Sequence, residues 1–283
     1  MLFVHEPTAT ASRGLFCFNR DGSLRFRHQP SDTVTFGPLT AAPPWRGFFV
    51  RAIGDAGQPH NVWLVSAHLS EFPTIVEKLD PAGRVLGQYW SNGQVVELTE
   101  AAIGGRRFVF IGATSNEFKG ASLAVLDERS PSATAPAVNP HYQCTECPAA
   151  ALLQYLVFPR LEAAVAASTY SSVSDIRIDD LDQVLLQVHH GADPFPPPEQ
   201  SLATSLSSYV LDADLHIVKA ELGDKYEVIL RMLEGRGLIT HPFSKAAEER
   251  RLRPVLRWEG GGFVEVTRPD HAPQERPGGA GRP

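Results

Sequence analysis

Cysteine is scarce in this chain, with three in 283 residues, and that excludes the cysteine-dense scaffold of a small secreted domain. Lysine is scarce too: five lysines stand beside 21 arginines, spread along the chain, and the net charge is −6. With no basic stripe, nucleic acid is not an expected partner. No stretch approaches the ~18 consecutive apolar residues of a membrane helix. Met1–Phe18 contains Glu6 and Pro7 and lacks the apolar core of a secretory leader. The expectation is therefore a soluble chain, cytoplasmic by default; because strand-like sequence starts at Leu15, it becomes extracytoplasmic if the chain is part of a longer protein whose address lies upstream. Enzyme signatures are also missing: there is no Gly-x-Ser-x-Gly elbow, no Gly-Lys-Ser phosphate loop and no His-Glu-x-x-His.

Proline, by contrast, is plentiful, at 23 of 283 residues. It removes a backbone donor and blocks helix interiors, so a chain that is 43% hydrophobic and 20% charged reads as short strands joined by turns. Leu24, Phe26 and His28 alternate with Arg25 and Arg27 in strand period after the Asp21-Gly22 turn. Strands are expected at Phe48–Ile53, Val62–Ser66, Ile75–Leu79, Arg84–Trp90, Arg107–Ala113, Ala121–Leu126, Gln183–His189 and Ser207–Leu211. Tyr226, Ile229, Leu230 and Leu233 fall at i, i+3, i+4 and i+7, which predicts a one-sided helix over Lys225–Glu234. Ser244 fits an N-cap for a second short helix, closed by Pro254. Residues 268–283 contain no core residues and are expected to be disordered.

A repeat runs through the strand-rich part. An acidic turn between apolar residues recurs at Asp21, Asp80, Asp127 and Asp212, with spacings of 59, 47 and 85 residues. Ahead of two of these turns stand Ile53-Gly54-Asp55-Ala56-Gly57 and Ile103-Gly104-Gly105, each leading into a strong strand. Units of ~40–50 residues, about four strands each, are the signature of propeller blades. In these motifs the chain resembles the bacterial β-propeller repeat families of the FG-GAP and quinoprotein-like kinds, over roughly Leu15–Ala220. The resemblance implies a mainly β fold, a β-propeller. Counting groups gives five blades: repeat blades over 14–222, a small helical insertion over 225–253, and a closing hairpin over 254–267 that shares a blade with the first hairpin. The FG-GAP calcium loop is not matched, since Gly54-Asp55-Ala56-Gly57 and Ala102-Ile103-Gly104-Gly105 carry too few carboxylates. Nor is the quinoprotein blade-end tryptophan motif, so neither cofactor is carried over.

One motif has chemical spacing. Cys144-Thr145-Glu146-Cys147, with His141 three residues ahead, could share a zinc ion as two thiolates and an imidazole. A reduced pair in a loop and a local disulfide are the other readings, and no cofactor is expected unless this motif holds zinc. His60, His68, Glu71 and Phe72 lie around one strand and its loop, and Asn116-Glu117-Phe118 occupies the matching place in the next unit. Equivalent loops of a propeller converge on one face, where ligands bind; solvated loop residues are the plainer reading. Asp179, Asp180 and Asp182 form an acidic turn. The functional expectation is a non-catalytic binding or scaffold module, monomeric, for a protein or small-molecule ligand, with the sensory part of a larger system as one such role. The alternative is a propeller hydrolase acting on glycosides, which needs carboxylates ~5–9 Å apart at the axis.

Overall fold

A computed structural model describes residues 2–5, 14–53, 61–68, 72–148, 152–166, 168–190 and 205–266. His60, Glu71, the loop 191–204 and the tail from 267 lie outside the described residues. The molecule is mainly β, built as several sheets with no closed barrel among the described residues. Strands β1 (Leu2–His5), β2 (Gly14–Phe18) and β3 (Leu24–His28) form one antiparallel sheet, and β4 (Val34–Phe36) and β5 (Leu39–Ala41) form a small hairpin. A second sheet is the meander β6 (Arg46–Ile53), β7 (Asn61–Ala67), β8 (Thr74–Leu79) and β9 (Val85–Ser91). A third begins with β10 (Val95–Ile103), β11 (Arg106–Ser115) and β12 (Gly120–Asp127). The short β13 (Ala133–Thr134) then returns to pair parallel with β9, and β14 (Gln154–Val157) completes the third sheet beside β12. A fourth sheet, β15 (Ser171–Ile178), β16 (Val184–His190), β17 (Ser205–Leu211) and β18 (Ile217–Leu222), is again a sequential meander.

The acidic turns have one physical basis. In 80–83, 179–182 and 212–215 the first residue is Asp, whose Oδ1 accepts the amides two and four residues on, at 2.8–3.0 Å. The fourth residue of each turn is left-handed: Gly83 (φ 83°), Asp182 (φ 59°) and Leu215 (φ 66°). Its amide closes onto the carbonyl of the first. That is a type I turn followed by a bulge, which matches strand twist. The turn at 19–22 has the same backbone bonds but puts Asn19 in the first place. Asp21 and Asp127 cap amides two residues on, at 2.9 Å each.

The sheets stack face to face. Leu15 packs with Val62, Leu64 and Leu79 between the first and second sheets. Trp63, Val65, Val76 and Tyr89 meet Val109, Ile111 and Tyr155 between the second and third. Phe108, Phe110, Leu123 and Val125 meet Val173, Ile176 and Leu186 between the third and fourth. Covered on both faces, β7 and β8 read as unbroken rather than alternating runs. Two charged residues of β8 survive there because each is paired. Glu77 bonds His28 Nε2 at 2.7 Å, and Lys78 meets Glu128 and lies over the Trp63 ring.

Helices α1 (Glu162–Ala166), α2 (Tyr226–Gly235) and α3 (Lys245–Arg251) cap the last interface. Tyr226, Ile229, Leu230 and Leu233 are the buried face of α2, and Ser244 Oγ caps α3 through Ala247 N. The final hairpin, β19 (Val255–Glu259) and β20 (Gly262–Val266), corrects one expectation. It does not join the first hairpin: β19 pairs with β14 through Leu156–Arg257 and Val157–Leu256, widening the third sheet to six strands. Phe263 holds it there, edge-on to Phe118 and Trp258. Among the described residues four sheets of three or more strands are present, so the expected fifth blade, shared by the first and last hairpins, is not formed. No helix of the described residues is long and apolar enough to cross a membrane.

Candidate functional site

Connections of the same rank meet at one end of the stack. The β7–β8 connection carries His68 and the β11–β12 turn carries Asn116 and Glu117. Between them the link from β9 to β10 presses Gly93 so closely on the Thr114 carbonyl and the Asn116 amide that a Cβ would lie 1.9 Å from the former. Ser171 N, at the start of β15, donates to Lys119 O. That brings the end of β16, paired to it at His190, to the same end.

His68 rests on an aromatic floor. His68 stands edge-on to Trp45 at 5.9 Å, and Trp45 on Trp90 at 5.4 Å. Phe72 sits edge-on to both Phe36 and Tyr142. Trp45, Trp90 and Phe36 are buried, whereas His68, Phe72, Tyr142, Asn116 and Glu117 are half-buried. Glu117 also fastens backbone, because its carboxylate accepts the amides of Asn139 at 2.8 Å and Val138 at 3.3 Å. It thereby ties the 137–147 segment to the β11–β12 turn. The structure brings His68, Asn116 and Glu117 to one end; His60 and Glu71 lie outside the described residues.

Beneath the rim, the gap between the second and third sheets ends in a layer of hydroxyls. Thr74, Tyr89 and Ser91 come from one sheet, Ser115, Ser122 and Tyr155 from the other, and all are buried. Burial pushes the Tyr89 phenol well up and the Tyr155 phenol up to about 12, so both remain neutral donors. Tyr155 lies beside Ser122 and Ser115 without a well-formed bond to either. The fourth sheet carries its own pair of hydroxyls: His190 sits between Ser171 Oγ (3.0 Å) and Ser207 Oγ (2.8 Å). Burial, helped by His189, holds His190 down to about 3.

The metal reading of Cys144, Cys147 and His141 is corrected. The two sulfurs are bonded to each other as a disulfide, and a sulfur so bonded is not the thiolate that zinc requires. His141 is exposed and packs on Tyr142. Among the described residues no three His, Cys, Asp or Glu side chains are grouped to hold a metal ion.

The acidic turn at Asp179–Asp182 is spent on backbone amides: Asp179 on its own turn and Asp182 on Gly104 N. The carboxylates that do meet, Glu162 and Glu248, lie among the helices. Glu248 accepts from Tyr226 OH at 2.7 Å, Arg251 spans both acids, and His241 bonds Glu162 at 2.6 Å. Arg251 thus links α1 to α3 through the two acids.

No family model matches the chain, and no curated protein matches it. Among solved structures it is similar to a protein of unknown function from Bacteroides caccae. That match has 11% identity and a TM-score of 0.25, and covers 75% of this chain and 76% of the other. A second, a member of the DUF4221 family from Bacteroides vulgatus, has 10% identity and a TM-score of 0.23, covering 76% of each chain.

Of the aromatic floor, sequence reasoning marks Phe72 beside His68 and misses Phe36, Trp45, Trp90 and Tyr142. Trp45 ends a proline-rich loop and Tyr142 lies in another, and neither position has a period that marks it. The hydroxyl layer was missed because a serine at a strand end reads as a turn residue.

Proposed function

We propose that the chain is a non-catalytic binding or scaffold module of propeller type, which takes a protein or small-molecule ligand at the end bearing His68, Asn116 and Glu117. What carries the reading is the meeting there of connections of the same rank over an aromatic floor. In this reading the sheets β1–β3, β6–β9, β10–β12 with β14, and β15–β18 are blades. The β19–β20 hairpin is an addition to the third. Half-buried aromatics offer contact area at low entropic cost, while the fixed amides and hydroxyls set orientation. The disulfide fits oxidising surroundings, in keeping with an extracytoplasmic position. The test is amide chemical-shift mapping with a panel of blocked tripeptides and disaccharides, alongside turnover assays on aryl glycosides. The reading expects shifts confined to residues near 68, 93, 116–118 and 138–147, with no product. Product formation, or shifts only at the opposite end, overturns it.

A further inference from the structure

The Cys144–Cys147 disulfide joins residues three apart in sequence, so it ties no two elements of the fold together. The segment around it is already fastened by other means. Gly37 N donates to Gln143 O and Thr145 N to Thr35 O, making a bridge between Phe36 and Cys144. Asn139 caps the 3-10 turn Pro140–Tyr142 through His141 N, and Glu117 holds Asn139. A crosslink over so short a loop removes the least chain entropy a disulfide can, and here it duplicates an anchorage made by the backbone. Both cysteines are half-buried rather than enclosed in the core. They also pack against the cluster that contains Phe36, Trp45, Trp90 and Phe72, which is the floor of the candidate site.

We propose that Cys144–Cys147 is a thiol–disulfide exchange site whose reaction partner is a dithiol, and that its redox state is read by the aromatic floor beside it. The proposal rests on the reading of that end as a binding site only in its second half; the exchange chemistry stands without it. One thiolate of the partner attacks one sulfur of the pair, which breaks the Cys144–Cys147 bond and forms a mixed disulfide. The partner's second thiolate then displaces the remaining protein sulfur. Cys144 and Cys147 end as thiols after taking up two protons, and the partner ends as a cyclic disulfide, so the protein gains two electrons and the partner loses two.

The test treats the folded protein with millimolar dithiothreitol, without denaturant, and then blocks thiols with a maleimide polymer. Cys17 is free and buried, so it is an internal gauge of unfolding. The expected result is two labels per chain in the native state and a third only in denaturant. The circular dichroism should be unchanged, and the melting temperature should fall by no more than about 5 °C. Resistance to reduction until the protein unfolds overturns the exchange site, as does reduction that exposes Cys17 or melts the fold. The Cys144→Ser/Cys147→Ser variant should take no label in the native state and melt close to wild type. The coupling to the floor is read from tryptophan emission. A shift on reduction that is absent in the double variant is expected; an emission spectrum indifferent to redox state overturns that half while leaving the exchange result to stand.

Discussion

Single side chains in this molecule mostly fasten backbone. Asp179 Oδ1 takes the amides of Leu181 and Gln183, each at 2.9 Å. Replacing it with alanine should lower stability by about 1 kcal/mol, read as a fall of roughly 2–4 °C in melting temperature, and Asp179→Asn should recover most of the loss. At Gly93 a Cβ would lie 1.9 Å from the Thr114 carbonyl oxygen. Gly93→Ala must therefore spread the link between the second and third sheets, with an expected cost of roughly 2–3 kcal/mol in chemical denaturation. His190 acts by staying uncharged in the fold. Its folded-state value near 3 lies below the ordinary 6.5, so the unfolded chain binds the proton more readily, and stability is lost as pH falls from about 6.5 towards 3. The full loss is on the order of 3–5 kcal/mol, and His190→Gln should flatten that limb of the stability profile. Much of this scale was legible: the turn residues stand out because Asp and Gly have specific turn chemistry. The exception is Asn19, which fills the aspartate's place in the first turn. The sequence marks Asp21-Gly22 as the turn because glycine tolerates the positive φ found at Gly22 (φ 82°).

At the scale of elements, the helices form the most electrostatically loaded part. Glu162 on α1 and Glu248 on α3 face Arg251, His241 and Tyr226. The Pro242 carbonyl and then Glu162 raise the His241 imidazole above its ordinary value, and burial raises the Glu248 carboxyl. Both groups hold protons more tightly folded than unfolded. Their contribution is present at lower pH and is lost as pH rises: Glu248 above its ordinary 4.5, His241 above 6.5 and through its raised value. The helical cap should therefore loosen as pH rises above the ordinary 6.5 of His241. Hydrogen exchange of the α2 and α3 amides should show faster opening over that range in the wild type and a flatter response in His241→Gln. The α2 helix was readable because its apolar spacing is unbroken. The seat of the β19–β20 hairpin was not. Its strand pattern says only that it pairs, and the choice of β14 as partner is made by Tyr155, Phe118 and Phe263 packing across the third sheet.

At the scale of the whole molecule, stacked meanders account for the uninterrupted apolar strands, for the two paired charges inside β8 and for the gathering of equal-rank connections at one end. The turn at 80–83 recurs at 179–182 and 212–215, whereas the repeat read from the sequence sets its acidic turns at Asp21, Asp80, Asp127 and Asp212 and takes 179–182 for a solvated cluster. The candidate site was visible only in part. His68, Asn116 and Glu117 follow from their matching positions, but Trp45, Trp90 and Tyr142 reach the site from loops whose paths no periodicity encodes. Cys144 and Cys147 have the spacing of metal ligands, and only the three-dimensional structure shows them joined. The measurement that tests the central claim most directly is amide chemical-shift mapping of the intact chain against blocked tripeptides and disaccharides, with turnover followed in the same samples. The account predicts saturable shifts near residues 68, 93, 116–118 and 138–147 for at least one ligand class, weakened at least tenfold by Tyr142→Ala, and no product. Shifts gathered instead at the tight turns 80–83, 179–182 and 212–215, or hydrolysis of any ligand, would contradict it.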